Sequence, residues 1–66
     1  MHILVNGTPT EVADTLTASE LIAQLALANK RIALEVNGEI VPRSRHTEYR
    51  FQTGDKVEIV HAIGGG

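Results

Sequence analysis

The sequence contains no cysteine and no tryptophan among its 66 residues, and only one Phe, one Tyr and two Pro. Without cysteine there is no disulfide framework, no thiolate nucleophile and no cysteine-based zinc site. Any sulfur chemistry would have to use sulfur from another molecule. The histidines, His2, His46 and His61, lie far apart without ligand spacing, so we expect them at the solvated surface and predict no metal site.

Long apolar runs and an excess of basic residues are also missing. The chain begins with alternating residues, without a basic leader or a membrane-length stretch, which predicts no membrane contact and a cytoplasmic location. The formal net charge is −2, so nucleic acid is not an expected partner. A chain this short leaves little room for a substrate cleft, which usually exceeds about 300 Å³. These properties favour a carrier or binding module, monomeric when free, over an autonomous enzyme.

Two Asn-Gly dipeptides predict tight hairpins, because both residues readily adopt positive φ. Asn6-Gly7 follows the apolar alternation of Ile3 and Val5, and Asn37-Gly38 ends a similar run that begins at Ile32. Pro9 cannot donate a ladder hydrogen bond, which places the returning strand of the first hairpin at a sheet edge. Gly54-Asp55 predicts one further turn before a final strand from Lys56.

One helix is expected between the hairpins. Thr17 and Glu20 have the spacing of a capping box, and Leu16 and Leu21 fit the hydrophobic staple beside it. Apolar residues continue at helical spacing, which predicts a helix to about Asn29. The polar stretch 43–50 is expected to be a loop with one helical turn.

This order of elements predicts an α+β fold in which one helix covers a single mixed sheet of four to five strands, the ubiquitin-like β-grasp. Residues 1–63 are expected to form the domain. The glycines Gly64, Gly65 and Gly66 are expected to form a flexible tail.

The whole chain resembles the ThiS family of sulfur carriers, which has this β-grasp fold. Besides the opening strand with Asn6-Gly7, the matching features are segment 34–43 (LEVNGEIVPR), segment 54–59 (GDKVEI) and the terminal Gly65-Gly66. A terminal Gly-Gly is weak by itself. Its position directly after the final strand makes the resemblance specific.

The resemblance implies that the working group is the carboxylate of Gly66. An adenylyltransferase of the ThiF type would activate this carboxylate with ATP, and a cysteine persulfide would supply sulfur for a C-terminal thiocarboxylate. A thiazole synthase of the ThiG type would accept that sulfur in thiamine biosynthesis. The chain itself would be a substrate of these partners, not an enzyme, and would bind no cofactor.

The residue types of the tail suit a narrow active-site channel. Extended chain covers about 3.3 to 3.6 Å per residue, so residues 63–66 would reach about 10 Å beyond the domain. Without Cβ atoms, Gly64, Gly65 and Gly66 would keep the thread narrow. If Ile3, Val5, Val57 and Ile59 face the helix, alternation in the first and last strands places Leu4, Val60 and Ala62 on the open side of the sheet, which we interpret as a partner-docking patch.

Three other functions remain open on the sequence. A carrier of the MoaD type would deliver the same sulfur into molybdopterin. A ubiquitin-like modifier would join Gly66 to lysines of target proteins. A β-grasp binding module would not use its tail, and deletion of Gly65 and Gly66 would then be harmless.

Overall fold

A computed structural model describes residues 1–61 of the chain. It contains five strands, a short α-helix and one 3₁₀ turn. In chain order these are β1 His2–Val5, β2 Thr8–Glu11, α1 Ala18–Gln24, β3 Ile32–Val36, β4 Glu39–Val41, the 3₁₀ turn Arg43–Arg45 and β5 Lys56–His61. The predicted domain end at residue 63 lies outside the described residues.

The five strands form one mixed sheet in the order β2-β1-β5-β3-β4. β1 runs parallel to β5, and the other neighbouring strands are antiparallel. β2, which contains Pro9, is an edge strand, as predicted. The α+β β-grasp prediction is therefore confirmed, with five strands rather than four.

The hydrophobic core lies between α1 and one face of the sheet. Its largest fully buried side chains come from β1, α1, β3 and β5: Ile3, Leu21, Leu34 and Val57. Apolar residues of the connecting segments, including Leu16 and Phe51, complete the same cluster. Each central strand therefore contributes alternate residues to the core and leaves the intervening ones on the opposite side of the sheet.

The start of α1 has the predicted capping box. The Thr17 hydroxyl accepts from the Glu20 N–H at 3.2 Å, and the Glu20 carboxylate accepts from the Thr17 N–H at 2.8 Å. The Thr17 N–H and the Thr17 hydroxyl both donate to Glu20 Oε1, and these bonds hold the pKa of Glu20 below its usual value. The next two helix amides donate to the loop 46–49, Ala18 to the Tyr49 carbonyl and Ser19 to that of His46. The loop thus pairs amides that a helix leaves unbonded.

The predicted helix end near Asn29 is wrong, because α1 stops at Gln24. Ala26 has φ of 60°, in the left-handed region. The Leu27 N–H then donates to the Ile22 carbonyl and the Ala26 N–H to the Ala23 carbonyl, each at 3.0 Å, which is the Schellman arrangement. This reversal turns Leu27 onto the core, so tertiary packing ends a helix that local spacing would continue.

The expectation that all three histidines are solvated is also wrong. His2 and His61 are exposed, whereas His46 is buried, with 8% of its surface accessible. Its Nε2 lies 3.0 Å from the Val41 carbonyl oxygen, so Nε2–H donates this bond. The 3₁₀ turn directs the His46 ring inward, where this bond satisfies a buried polar atom.

No helix within residues 1–61 is long and apolar enough to cross a membrane.

The left-handed Ala26 generates a prediction. Ala in this conformation costs about 1 kcal/mol, a cost that glycine avoids. Ala26→Gly should therefore raise the free energy of unfolding by about 0.5 to 1 kcal/mol in urea denaturation. Ala23→Gly is the matched control, because Ala23 is exposed within α1 and its replacement should lower stability by about 1 kcal/mol. Equal losses in both variants would contradict the Schellman assignment.

Candidate functional site

The segment that leads to the predicted working tail is β5, the central strand of the sheet. Its last residue, His61, lies opposite Ile32 of β3. The predicted tail residues and one predicted docking residue, Gly64, Gly65, Gly66 and Ala62, lie outside the described part of the chain. His61, at the end of β5, is therefore the described residue nearest in sequence to the predicted tail.

Neighbouring strands bond β5 along both of its edges. On the β3 side the antiparallel register runs from Val36 opposite Val57 to Ile32 opposite His61. On the β1 side the Leu4 N–H donates to the Asp55 carbonyl at 2.9 Å. Within residues 1–61, β5 is therefore flanked by β1 in its first half and by β3 from Val57 to His61.

Two asparagines, one in each hairpin turn, bond β5 through their side chains. Asn6 Oδ1 accepts from the Ile59 N–H at 2.8 Å, and Asn6 Nδ2 donates to the Ile59 carbonyl at 3.2 Å. Asn37 Oδ1 accepts from the Lys56 N–H at 3.0 Å. Both asparagines have positive φ, 49° and 54°. Each hairpin is thus tied to β5 at a different end.

The buried Asp55 carboxylate organises the turn before β5. It accepts from the Asn37 side-chain amide at 3.0 Å and from the Gln52 N–H at 2.8 Å. Asp55 is only 9% exposed. A carboxylate can be buried at low cost only when it is hydrogen-bonded, and these two bonds meet that requirement. Asn37 therefore connects the second hairpin both to β5 and to the turn that precedes it.

The open face, meaning the sheet surface away from α1, contains both described members of the predicted docking patch. Leu4 is half-buried and lies opposite Lys56, whereas Val60 is four residues further along β5. Four residues of strand span about 13 Å. Lys56 and Glu58 stand between the two on the same face, so Leu4 and Val60 do not form a contiguous patch.

An acidic pair flanked by apolar residues occupies the centre of the open face. Glu35 and Glu58 lie directly opposite each other on β3 and β5. Ile40 of β4 lies opposite Glu35 and is 69% exposed, and Val60 is 47% exposed. No cation lies within salt-bridge distance of either carboxylate among residues 1–61. Sequence reasoning missed this pair because it becomes visible only from the strand register.

The base of the tail has the opposite charge. Arg31 directly precedes Ile32, the partner of His61, and is exposed. Lys30, the preceding residue, is also cationic. Arg43 Nη2 lies 3.5 Å from the Lys30 carbonyl oxygen, so Arg43 is a third cationic residue in this region. The open face therefore has an acidic pair at its centre, and basic residues lie near the end of β5.

Two shallow pockets are among the depressions on the surface of the described residues. One, of about 170 Å³, lies beside β4 and is lined by residues that include Ile40, Arg45 and Tyr49. The other, of about 190 Å³, lies beside the 3₁₀ turn and includes Ser19. Burial, together with the negative charges of Asp55 and Glu39, raises the pKa of Tyr49. Both volumes are below the roughly 300 Å³ typical of substrate pockets.

The sequence and the fold are both similar to those of known proteins. A model of the ThiS family matches residues 3–66. The chain is 42% identical over 53 residues to the sulfur carrier protein ThiS of Bacillus subtilis, covering 80% of each protein. The crystal structure of a thiamine biosynthesis protein, ThiS, from Geobacter metallireducens superimposes with a TM-score of 0.85 at 35% identity and covers 100% of both chains.

Longer proteins also contain a similar segment. The chain is 36% identical over 66 residues to a thiazole synthase of Paramagnetospirillum magneticum, a match that covers all of this chain and 20% of that protein. The chain thus spans about a fifth of the length of the thiazole synthases that it matches.

The facing carboxylates of the open face generate a prediction. Like charges directly opposite each other destabilise a sheet, and opposite charges contribute about 0.2 to 1 kcal/mol. Glu58→Lys should therefore raise the free energy of unfolding by about 0.5 to 1 kcal/mol at low salt, and 1 M NaCl should largely remove the gain. Glu39→Lys is the control, because it changes the net charge equally at a site opposite Val36. If both variants gained the same stability, the gain would come from the change in net charge alone, which would contradict a specific repulsion between Glu35 and Glu58.

Proposed function

The chain belongs to the ThiS family, and we propose that it is a sulfur carrier of thiamine biosynthesis that works through the carboxylate of Gly66. The observation that supports this proposal most strongly is the family match, which extends through Gly65 and Gly66. The structural likeness over the whole chain adds to it. We propose that the chain is a substrate of partner enzymes and supplies no catalytic side chain.

Activation of the carboxylate must come first, because attack on a carboxylate would add negative charge to an anion. In the proposed step, a carboxylate oxygen of Gly66 attacks the α-phosphorus of ATP and pyrophosphate leaves. The product is an acyl-adenylate, whose AMP is a good leaving group. An adenylyltransferase of the ThiF type would supply the ATP site.

Sulfur transfer follows in two proposed steps. The terminal sulfur of a cysteine persulfide attacks the acyl-adenylate carbonyl, AMP leaves, and an acyl disulfide joins the two proteins. A second thiol then attacks the cysteine sulfur of this acyl disulfide. The S–S bond to the carrier breaks, the thiocarboxylate of Gly66 leaves, and the cysteine and the attacking thiol remain joined as a disulfide. The thiocarboxylate sulfur would attack a carbonyl-derived intermediate in a thiazole synthase of the ThiG type. The similarity to part of a thiazole synthase supports this choice of acceptor.

Docking is proposed to use the open face of the sheet near its Val60 end. Val60 pairs with Ala33 across the strands, and Ile40 lies on the far side of Glu35. Exposed apolar side chains around two unpaired carboxylates would fit a partner surface with apolar residues and a basic side chain. This proposal retains Val60 from the predicted patch and replaces Leu4, which lies about 13 Å away along the strand. Ala62 stays a predicted member of the patch.

Intact-mass spectrometry of the chain from cells with thiazole synthesis induced tests the terminal chemistry. We expect a gain of about 16 Da, the exchange of oxygen for sulfur, localised by fragmentation to Gly66, since a thiocarboxylate contains one sulfur in place of an oxygen. A chain without Gly65 and Gly66 is the control and should gain no sulfur. A lysine adduct would identify a modifier. An unmodified terminus, or a chain that continues beyond Gly66, would contradict the proposal.

A substitution on the open face tests the docking site. Val60→Asp should weaken binding to the adenylyltransferase by at least about tenfold, because it places a third carboxylate in the interface. Leu25→Asp is the matched control, since Leu25 is 40% exposed at the end of α1 and should bind within about twofold of wild type. Binding is measured by titration calorimetry after circular dichroism has verified folding. Undiminished binding of Val60→Asp would remove this face from the interface.

A further inference from the structure

We infer that the side chain of Asn6 is a positioning residue for the tail, which sets where the chain leaves the sheet on its way to the partner's active site. The inference rests on the proposed function, because it assumes that Gly66 is presented to an activating enzyme. It is carried by the two hydrogen bonds between the Asn6 amide and the Ile59 backbone.

The Asn6 amide extends the β1–β5 ladder beyond the end of β1. The Asn6 N–H donates to the Val57 carbonyl at 2.8 Å, and β1 itself ends at Val5. With φ of 49° the backbone of Asn6 turns away toward β2. Its side chain continues along β5 and presents one acceptor and one donor to Ile59, as a strand residue would. A side-chain amide thus replaces the strand residue that the turn removes.

Ile59 is the last residue of β5 with partners on this edge within residues 1–61. The N–H and C=O groups of antiparallel strands alternate in direction. Because the Asn37 N–H donates to the Lys56 carbonyl, even-numbered residues of β5 bond β3 and odd-numbered residues face β1. His61 therefore directs its groups to the side where β1 has already turned away. Beyond the Asn6 bonds, β3 is the only strand that neighbours β5 in the described part of the chain.

The position of this last bond determines how well the tail is aimed. Ile59 precedes Gly66 by seven residues, and each extended residue adds about 3.3 to 3.6 Å. In the proposed complex a partner channel holds this segment extended, so a small displacement at Ile59 would also displace Gly66. Displacement of a reacting group by about 1 Å can cost as much as 100-fold in rate.

Asn37 provides a matched control within the same chain. It occupies the same position in the other Asn-Gly turn, with a similar φ of 54°, and its side chain also bonds β5. Its bonds are to Lys56, at the start of β5 and ten residues before Gly66, and to the Asp55 carboxylate just before β5. Loss of either amide removes hydrogen bonds to β5, but only the loss of Asn6 leaves residues 59–61 held by β3 alone.

The experiment compares Asn6→Ala and Asn37→Ala in ATP–pyrophosphate exchange with a ThiF-type adenylyltransferase. We expect kcat/KM to fall by about tenfold or more for Asn6→Ala and to stay within about twofold for Asn37→Ala, at a temperature where both are folded. Amide hydrogen exchange should show lost protection at Ile59 in Asn6→Ala only. Equal activity in the two variants, with comparable stability losses, would overturn the inference.

A second variant keeps the test decisive if Asn6→Ala does not fold. Asn6→Asp retains the acceptor for the Ile59 N–H but puts a carboxylate oxygen in place of the amide donor. Its kcat/KM should therefore fall by about three- to fivefold, and the Ile59 amide should stay protected from hydrogen exchange. Wild-type activity from Asn6→Asp would overturn the inference. No exchange with the wild-type chain would instead contradict the proposed function, so the two failures are distinguishable.

Discussion

The fold depends on the insertion of β5 between two hairpins that, within residues 1–61, have no other strand between them in the sheet. β1 and β2 form one hairpin and β3 and β4 the other, and the strand order places β5 between them. Val57 and Ile59 of β5 also complete the core against α1. Local turn chemistry can form each hairpin, but only β5 joins them, so the sheet and the core are completed by the same strand.

This arrangement explains why the two Asn-Gly turns have more than a conformational role. Asparagine tolerates positive φ and carries an amide that imitates the backbone. In each turn that amide bonds β5, Asn6 toward its end and Asn37 at its start. The same residues that reverse the chain therefore fix the central strand, and through it the base of the tail.

Much of the architecture was predictable because its signals are local. The hairpin dipeptides, the Thr17–Glu20 capping box and the edge position of Pro9 act within a few residues, and the structure confirms each. The errors concern packing. α1 ends at Gln24 because Leu27 turns onto the core, and His46 is buried because the 3₁₀ turn directs it inward. Neither event has a signal within helical or strand spacing.

The sequence by itself determined that these 66 residues contain no cysteine thiol, that they form two Asn-Gly hairpins and one capped helix, and that residues 64–66 are glycines. Only the tertiary structure decided which side chains meet across the sheet. Glu35 faces Glu58, Leu4 lies apart from Val60, and Asn6 bonds Ile59 across 53 residues of sequence. The reason is that register is fixed by how β5 packs between distant segments, and no local pattern specifies it.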